Sequence, residues 1–270
     1  MKWSTTALSL GIIAMMLGVP AAVAAGPVAS HAAPFFANHG GPIRMSSSSS
    51  TNWAGYAVTG SKGSVTSVVG SWTQPKATCS GTGTQYAAFW VGIDGYTSST
   101  VEQTGTDSDC SAGSPSYYAW FEFYPNPSRV ISTVTVHAGD VISAQVTYST
   151  STAKFTVTLK DVTTGKSFSK TAGVRSAQRT SAEWIAEAPY SGGILPLANF
   201  GTINFGYDNT SVSGTNDATI GGTTGNLGSF STSVSINMIG VHNSSLTKAA
   251  TSAISTDGTS FSVTWKAAGP

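Results

Sequence analysis

VISAQVTYS (141–149) and AKFTVTLK (153–160) decide the fold. In the first, Ile142, Ala144, Val146 and Tyr148 share one face; in the second, Phe155, Val157 and Leu159 oppose Thr156, Thr158 and Lys160. A period of two marks a strand that turns one face to a core and the other to water. DVTTGKS (161–167) reads as a hairpin turn.

Working outward, similar strands are predicted at SVTSVVGSWT (64–73), QYAAFWVGI (85–93), YYAWFEFY (117–124), TINFGY (202–207), SVSINMIG (233–240) and SFSVTWK (260–266). Gly, Ser, Asn and Pro separate them. No segment carries a long helical stripe, so the chain is expected to be all-β, an antiparallel β-sandwich of two packed sheets, with a closed β-barrel as the alternative. No repeat of fixed period is visible, which argues against propellers and solenoids.

Charged residues make up 9% of the 270, far below the quarter found in an ordinary globular protein, while 7 Trp, 9 Tyr and 11 Phe supply core material. The N-terminus has Lys2, an apolar run from Ala7 to Val19, and Ala22 and Ala24 spaced for signal-peptidase cleavage, so residues 1–24 read as a secretory signal. The run is shorter than the ~20 apolar residues that span a bilayer. Residues 25–50 have no strand or helix period and read as a propeptide or a disordered extension. The remaining 51–270 have the size of one all-β domain. They hold eleven Lys and Arg against all twelve Asp and Glu, a formal charge of −1, so neither nucleic acid nor an anionic membrane is an expected partner. A secreted monomer is expected. In an exported chain the only two cysteines, Cys79 and Cys110, are expected to form a disulfide, worth roughly 3 to 4 kcal/mol by loop closure.

Several hydrolytic solutions are missing. After Ser50 only His137 and His242 remain, and both read as ordinary surface or half-buried histidines. There is no G-x-S-x-G elbow, no H-E-x-x-H pair for zinc and no pair of D-[TS]-G turns for two aspartates sharing a proton. No metal or other cofactor is expected. Hydrolysis would then rest on a Glu or Asp with a neutral partner. Alternation puts Tyr118, Trp120, Glu122 and Tyr124 on one face of YYAWFEFYP, with Ala119, Phe121 and Phe123 on the other. In AEWIAE it puts Glu183, Ile185 and Glu187 together and does not choose between the two glutamates. In FWVGID, Trp90, Gly92 and Asp94 align. Carboxylates beside tryptophans also suit a sandwich that binds or hydrolyses carbohydrate, which is the alternative function.

Five motifs in order, NWAGY (52–56), FWVGIDG (89–95), QTG (103–105), AWFEFYP (119–125) and AEWIAE (182–187), resemble the glutamic peptidases, or eqolisins. The resemblance implies a secreted acid endopeptidase made as a zymogen and acting on protein or peptide substrates. It implies Gln103 and Glu187 as the catalytic pair, with Asp94, Glu122, Trp90, Trp120 and Trp53 in support. In that pattern Glu187 is the general base and then acid, and Gln103 stabilises the oxyanion. One departure stands out: the family aspartate two residues before Trp120 is Tyr118 here.

Overall fold

The computed structural model describes Met1 and residues 49–269. The signal and most of the predicted propeptide or extension lie outside them. Its last two residues, Ser49–Ser50, form β1 and pair in parallel with Asn237 and Met238.

The strands that follow are β2 (Trp53–Thr59), β3 (Val65–Thr73), β4 (Ala88–Ile93), β5 (Glu102–Ser111), β6 (Ser114–Phe123), β7 (Arg129–Val130), β8 (Val141–Ser149), β9 (Lys154–Asp161) and β10 (Ser167–Ala172). Then come β11 (Ser181–Glu187), β12 (Thr202–Gly206), β13 (Asp217–Ile220), β14 (Thr223–Asn226), β15 (Ser233–Ile239), β16 (Thr247–Thr251) and β17 (Ser260–Trp265). Helix is confined to one turn, Tyr207–Thr210, and a 3-10 turn, Leu227–Ser229. Among the described residues no helix is long and apolar enough to cross a membrane.

One layer runs β15–β2–β11–β4–β5–β6–β7, all antiparallel. The other carries β10–β9–β8–β3, with β12 and β13 on the far side of β3 and β17 and β16 beyond β12. Strand β15 pairs with both β2 and β16, so the pairing is continuous but not closed; the fold is the predicted sandwich rather than the barrel. The hairpin read from the sequence is present, with Phe155, Val157 and Leu159 buried and Ile142, Ala144 and Val146 beside them in the inter-layer core.

Alternation in the first layer sorts side chains between two clusters. Phe89, Val91, Ala119, Phe123, Ala182 and Trp184 join the inter-layer core, whereas Trp53, Trp90, Trp120 and Ile185 form a second cluster on the opposite face. Tyr118 and Tyr124 pack on that second cluster and Phe121 on the first, as the alternation of YYAWFEFYP predicts. The predicted QYAAFWVGI strand is shorter, because Gln85 and Tyr86 make only isolated bridges, and TINFGY gives up Tyr207 to the helical turn. Cys79 and Cys110 are bonded, tying the approach to β4 onto the end of β5.

Candidate active site

Strand register builds the site as three rows across β2, β11, β4, β5 and β6. One row is Ala57, Glu183, Gly92, Gln103 and Glu122; the next is Gly55, Ile185, Trp90, Gly105 and Trp120; the third is Trp53, Glu187, Ala88, Asp107 and Tyr118. Glycine is required at Gly55, where a Cβ would lie 2.1 Å from the Trp184 carbonyl oxygen, and at two places beside Trp90. A Cβ on Gly105 would lie 2.1 Å from the Phe89 carbonyl oxygen and 2.6 Å from Cβ of Trp90. One on Gly92 would lie 2.9 Å from Cζ3 of Trp90 and 3.3 Å from Cβ of Gln103. The two glycines thus make room for the Trp90 indole, which reaches from the row of Glu187 to that of Gln103.

Glu187 is buried and held by N–H donors. Trp90 Nε1 donates to Oε2 at 2.8 Å and Asn52 Nδ2 to Oε1 at 3.1 Å, and the Trp53 side chain adds a third bond. Trp53 and Trp90 meet edge to face, ring centroids 5.0 Å apart. Ser50 supports Asn52: its hydroxyl donates to Asn52 Oδ1 at 3.1 Å and accepts from the main-chain N–H groups of Asn52 and Trp53. Burial raises the Glu187 pKa to about 7, against the three donors, which favour the ionised form.

Gln103 is fully buried, and its Nε2 donates to Glu122 Oε2 at 2.6 Å. That leaves one Nε2 hydrogen uncommitted, and Oε1 has no protein partner. Burial pushes the Glu122 carboxyl well above its usual range; the Gln103 bond opposes this, and the nearby Glu187 adds to it. Glu183, two rows from Glu187 on the same face, is also pushed well up by burial, then by Asp94 and Glu102. Gln103 and Glu187 make no hydrogen bond to each other.

Asp94 is not brought to this pair. Its φ of 72° turns the chain off the β4 alternation, and its carboxylate accepts from the N–H groups of Gln178, Arg179 and Thr180 and from the Thr180 hydroxyl. It fixes the loop that leads into β11. Trp120 lies in the middle row, as the alternation predicts. His137 and His242 are exposed, and His137 sits 3.4 Å from Asp140 in a turn. Among the described residues no group of three or more His, Cys, Asp or Glu side chains is placed to hold a metal ion.

The sequence of the Peptidase A4 family matches residues 51–265, which is most of the chain. The chain belongs to the Peptidase A4 family. Among its relatives in that family, aspergillopepsin-2 of Aspergillus niger is 34% identical over 179 residues, 58% of this chain and 62% of that protein. Scytalidopepsin B of Scytalidium lignicola is 37% identical over 141 residues, 51% of each. The chain therefore spans between half and two thirds of the length of these curated relatives. The crystal structure of scytalido-glutamic peptidase with a peptide-based transition-state analogue matches with a TM-score of 0.64 and 28% identity, over 80% of this chain and 98% of that one. Aspergilloglutamic peptidase from Aspergillus niger matches with a TM-score of 0.54 and 32% identity, over 67% of this chain and 99% of that one.

The structure adds Asn52, Ser50, Asp107 and Asp109 to the residues read from the sequence. Asn52 lies within NWAGY, but its bond to Glu187 spans 135 residues of chain and has no local signal. Asp107 and Asp109 could have been found by extending the alternation of Gln103 and Gly105 along β5.

Proposed function

We propose that this Peptidase A4 chain is an exported glutamic endopeptidase in which Glu187 and Gln103 are the catalytic residues. The observation that carries this reading is the Glu187 carboxyl, buried yet facing three N–H donors, with a pKa of about 7. A base or acid near that value can exchange a proton under mild conditions. Glu183 sits on the same face and is pushed well up by burial, but Trp90 and Asn52 donate to Glu187 and favour its ionised form, which makes Glu187 the better base.

Ionised Glu187 takes a proton from a water molecule as the water oxygen attacks the scissile carbonyl carbon. The free Gln103 Oε1 accepts the water's other hydrogen, and the uncommitted Nε2 hydrogen is donated to the developing oxyanion. Protonated Glu187 then gives its proton to the leaving amine as the C–N bond breaks. Glu122 anchors the Gln103 amide, Trp90 and Trp53 hold the Glu187 carboxyl, Trp120 lines the middle row, and Asp94 acts from a distance through the loop before β11. The amide does not titrate, so it works in acid, where a histidine would be protonated.

Two trends bound the working pH. The base form of Glu187 gains population towards pH 7, whereas the buried carboxyls weaken the fold over the same interval. A mildly acid maximum, between about pH 4 and 7, follows. Protein or peptide substrates fit the solved relative bound to a peptide-based analogue. No observation favours the carbohydrate reading. The reading is tested by digesting an unfolded protein with wild type and Gln103→Ala across pH 2 to 7. Loss of one oxyanion donor predicts a fall in kcat of roughly 100- to 1,000-fold; a Gln103→Ala protein with wild-type kcat contradicts it.

A further inference from the structure

Position 118 breaks the family pattern by placing a tyrosine where an acid is expected, and the structure shows what its hydroxyl does. The Tyr118 oxygen lies 2.9 Å from Asp107 Oδ2 and 2.9 Å from Asp109 Oδ2. Asp107 is 0% exposed and Asp109 6%. A phenol has one hydrogen, so it donates to one carboxylate at a time; the second short contact needs a carboxyl O–H donating back to the phenol oxygen. The contacts are therefore both satisfied when the trio carries one carboxyl proton: Asp–COOH to Tyr118, and Tyr118 to Asp–COO⁻.

The trio faces the dyad. Asp107 shares the third row with Glu187, and only Ala88 stands between them, so their Cα atoms are about 10 Å apart at ordinary strand spacing. Alanine leaves the space above that row to the two carboxyls. The groups facing Asp107 are Tyr118 and Trp120 from β6, Asp109 from its own strand and Glu187 from β11, and among the described residues no Lys or Arg is paired with any of them. Behind it, Gln74 Nε2 donates to the Asp107 main-chain oxygen at 2.8 Å, which fixes that part of β5.

We propose that Asp107, Tyr118 and Asp109 form a proton-sharing relay that sets the charge facing Glu187, with Asp109 supplying the second carboxyl that the family pattern places at position 118. Asp107 is a positioning residue: it acts on the reaction through Glu187 and touches no reacting atom. Tyr118 spans the wider gap to Asp109, because a phenol reaches farther than a carboxyl on the same strand position. Burial holds both aspartates above their usual range, and the Tyr118 bonds oppose this, which is the behaviour of a pair that gives up its protons in two steps.

The proposal rests on Glu187 being the catalytic carboxyl, so its test reads protonation directly and activity separately. The carboxyl carbons of Asp and Glu in the purified protein are labelled with 13C and titrated by NMR from pH 2 to 8. Wild type should show two separated steps for Asp107 and Asp109. Tyr118→Phe, which removes only the bridging hydroxyl, should move the first of these steps upward, and Asp109→Asn should leave a single step. Adding Tyr118→Asp to Asp109→Asn should restore two. In Glu187→Gln the Asp107 step should fall by about one pH unit, as expected for removing a charge ~10 Å away that adds to the rise of Asp107. One unsplit step at the ordinary aspartate value, or Asp107 and Asp109 steps unmoved in folded Tyr118→Phe and Glu187→Gln, overturns the relay. Full activity in Glu187→Gln would overturn the dyad instead and leave the titration result standing.

Discussion

Burial and hydrogen bonding pull Glu187 in opposite directions, and each of its donors therefore has a separable effect. Trp90 contributes an N–H at 2.8 Å as well as a ring that fills the space over Gly92 and Gly105. Trp90→Phe removes the first and keeps most of the second. A hydrogen bond to a charged group contributes about 1.5 to 3 kcal/mol, so the Glu187 pKa should rise by roughly one to two units. The sign follows from which form is favoured: the lost donor stabilised the carboxylate, so the base form needs a higher pH. A pH profile of kcat/KM on a short peptide checks this, and the acid limb of Trp90→Phe should lie above that of wild type. Alternation alone places Trp90, Trp120, Glu122 and Glu187 on the site face. The Asn52 donor was not legible, because it reaches Glu187 through the pairing of Trp53 with a strand far along the chain.

At the scale of elements, β8 and β9 were readable because each has one apolar face against one polar face. Strand β5 was not. Its sequence EQTGTDSDCS is buried over nine of its ten residues yet has almost no apolar side chain, so hydrophobic periodicity has nothing to detect. Its place is set by backbone pairing with β4 and β6 and by polar side chains such as Thr104, whose hydroxyl donates to the Trp120 carbonyl at 2.7 Å. Gly105 lets β5 and β4 approach, with the Phe89 carbonyl 2.1 Å from where a Cβ would be. Gly105→Ala forces backbone apart rather than a flexible side chain, so it should destabilise the fold by about 2 to 4 kcal/mol. Chemical denaturation at pH 4 measures this; a midpoint equal to wild type would mean that β4 and β5 separate without cost. The Asp94 clamp on residues 178–180 belongs to the same scale, since alignment with Trp90 in the sequence pointed it towards the dyad, and the left-handed turn at its own α-carbon points it away.

The whole molecule concentrates its few acids inside. Glu102, Asp107, Asp109, Glu122, Glu183 and Glu187 are all buried with pKa values raised, chiefly by burial. A group whose folded pKa lies above its unfolded value contributes full stability below the unfolded value, near pH 4, and that contribution is lost as pH rises through the folded value. For Glu187, moving from 4.5 to about 7, the loss amounts to about 3 kcal/mol, and the other five act in the same direction. Buried Lys248, lowered to about 8, titrates above this interval and leaves the trend intact. Thermal melting should therefore give a higher Tm at pH 4 than at pH 7; equal or reversed values would contradict the buried, protonated network. Low charge was visible in the composition, but its consequence was not, because the composition does not say that nine of the twelve acids are inside. The central claim, that Glu187 is the catalytic carboxyl, is tested most directly by kcat/KM of Glu187→Gln beside Glu183→Gln on one peptide substrate at the wild-type optimum. The account predicts that Glu187→Gln loses at least about 1,000-fold while Glu183→Gln, if folded, retains measurable turnover; full activity in Glu187→Gln, or loss confined to Glu183→Gln, would contradict it.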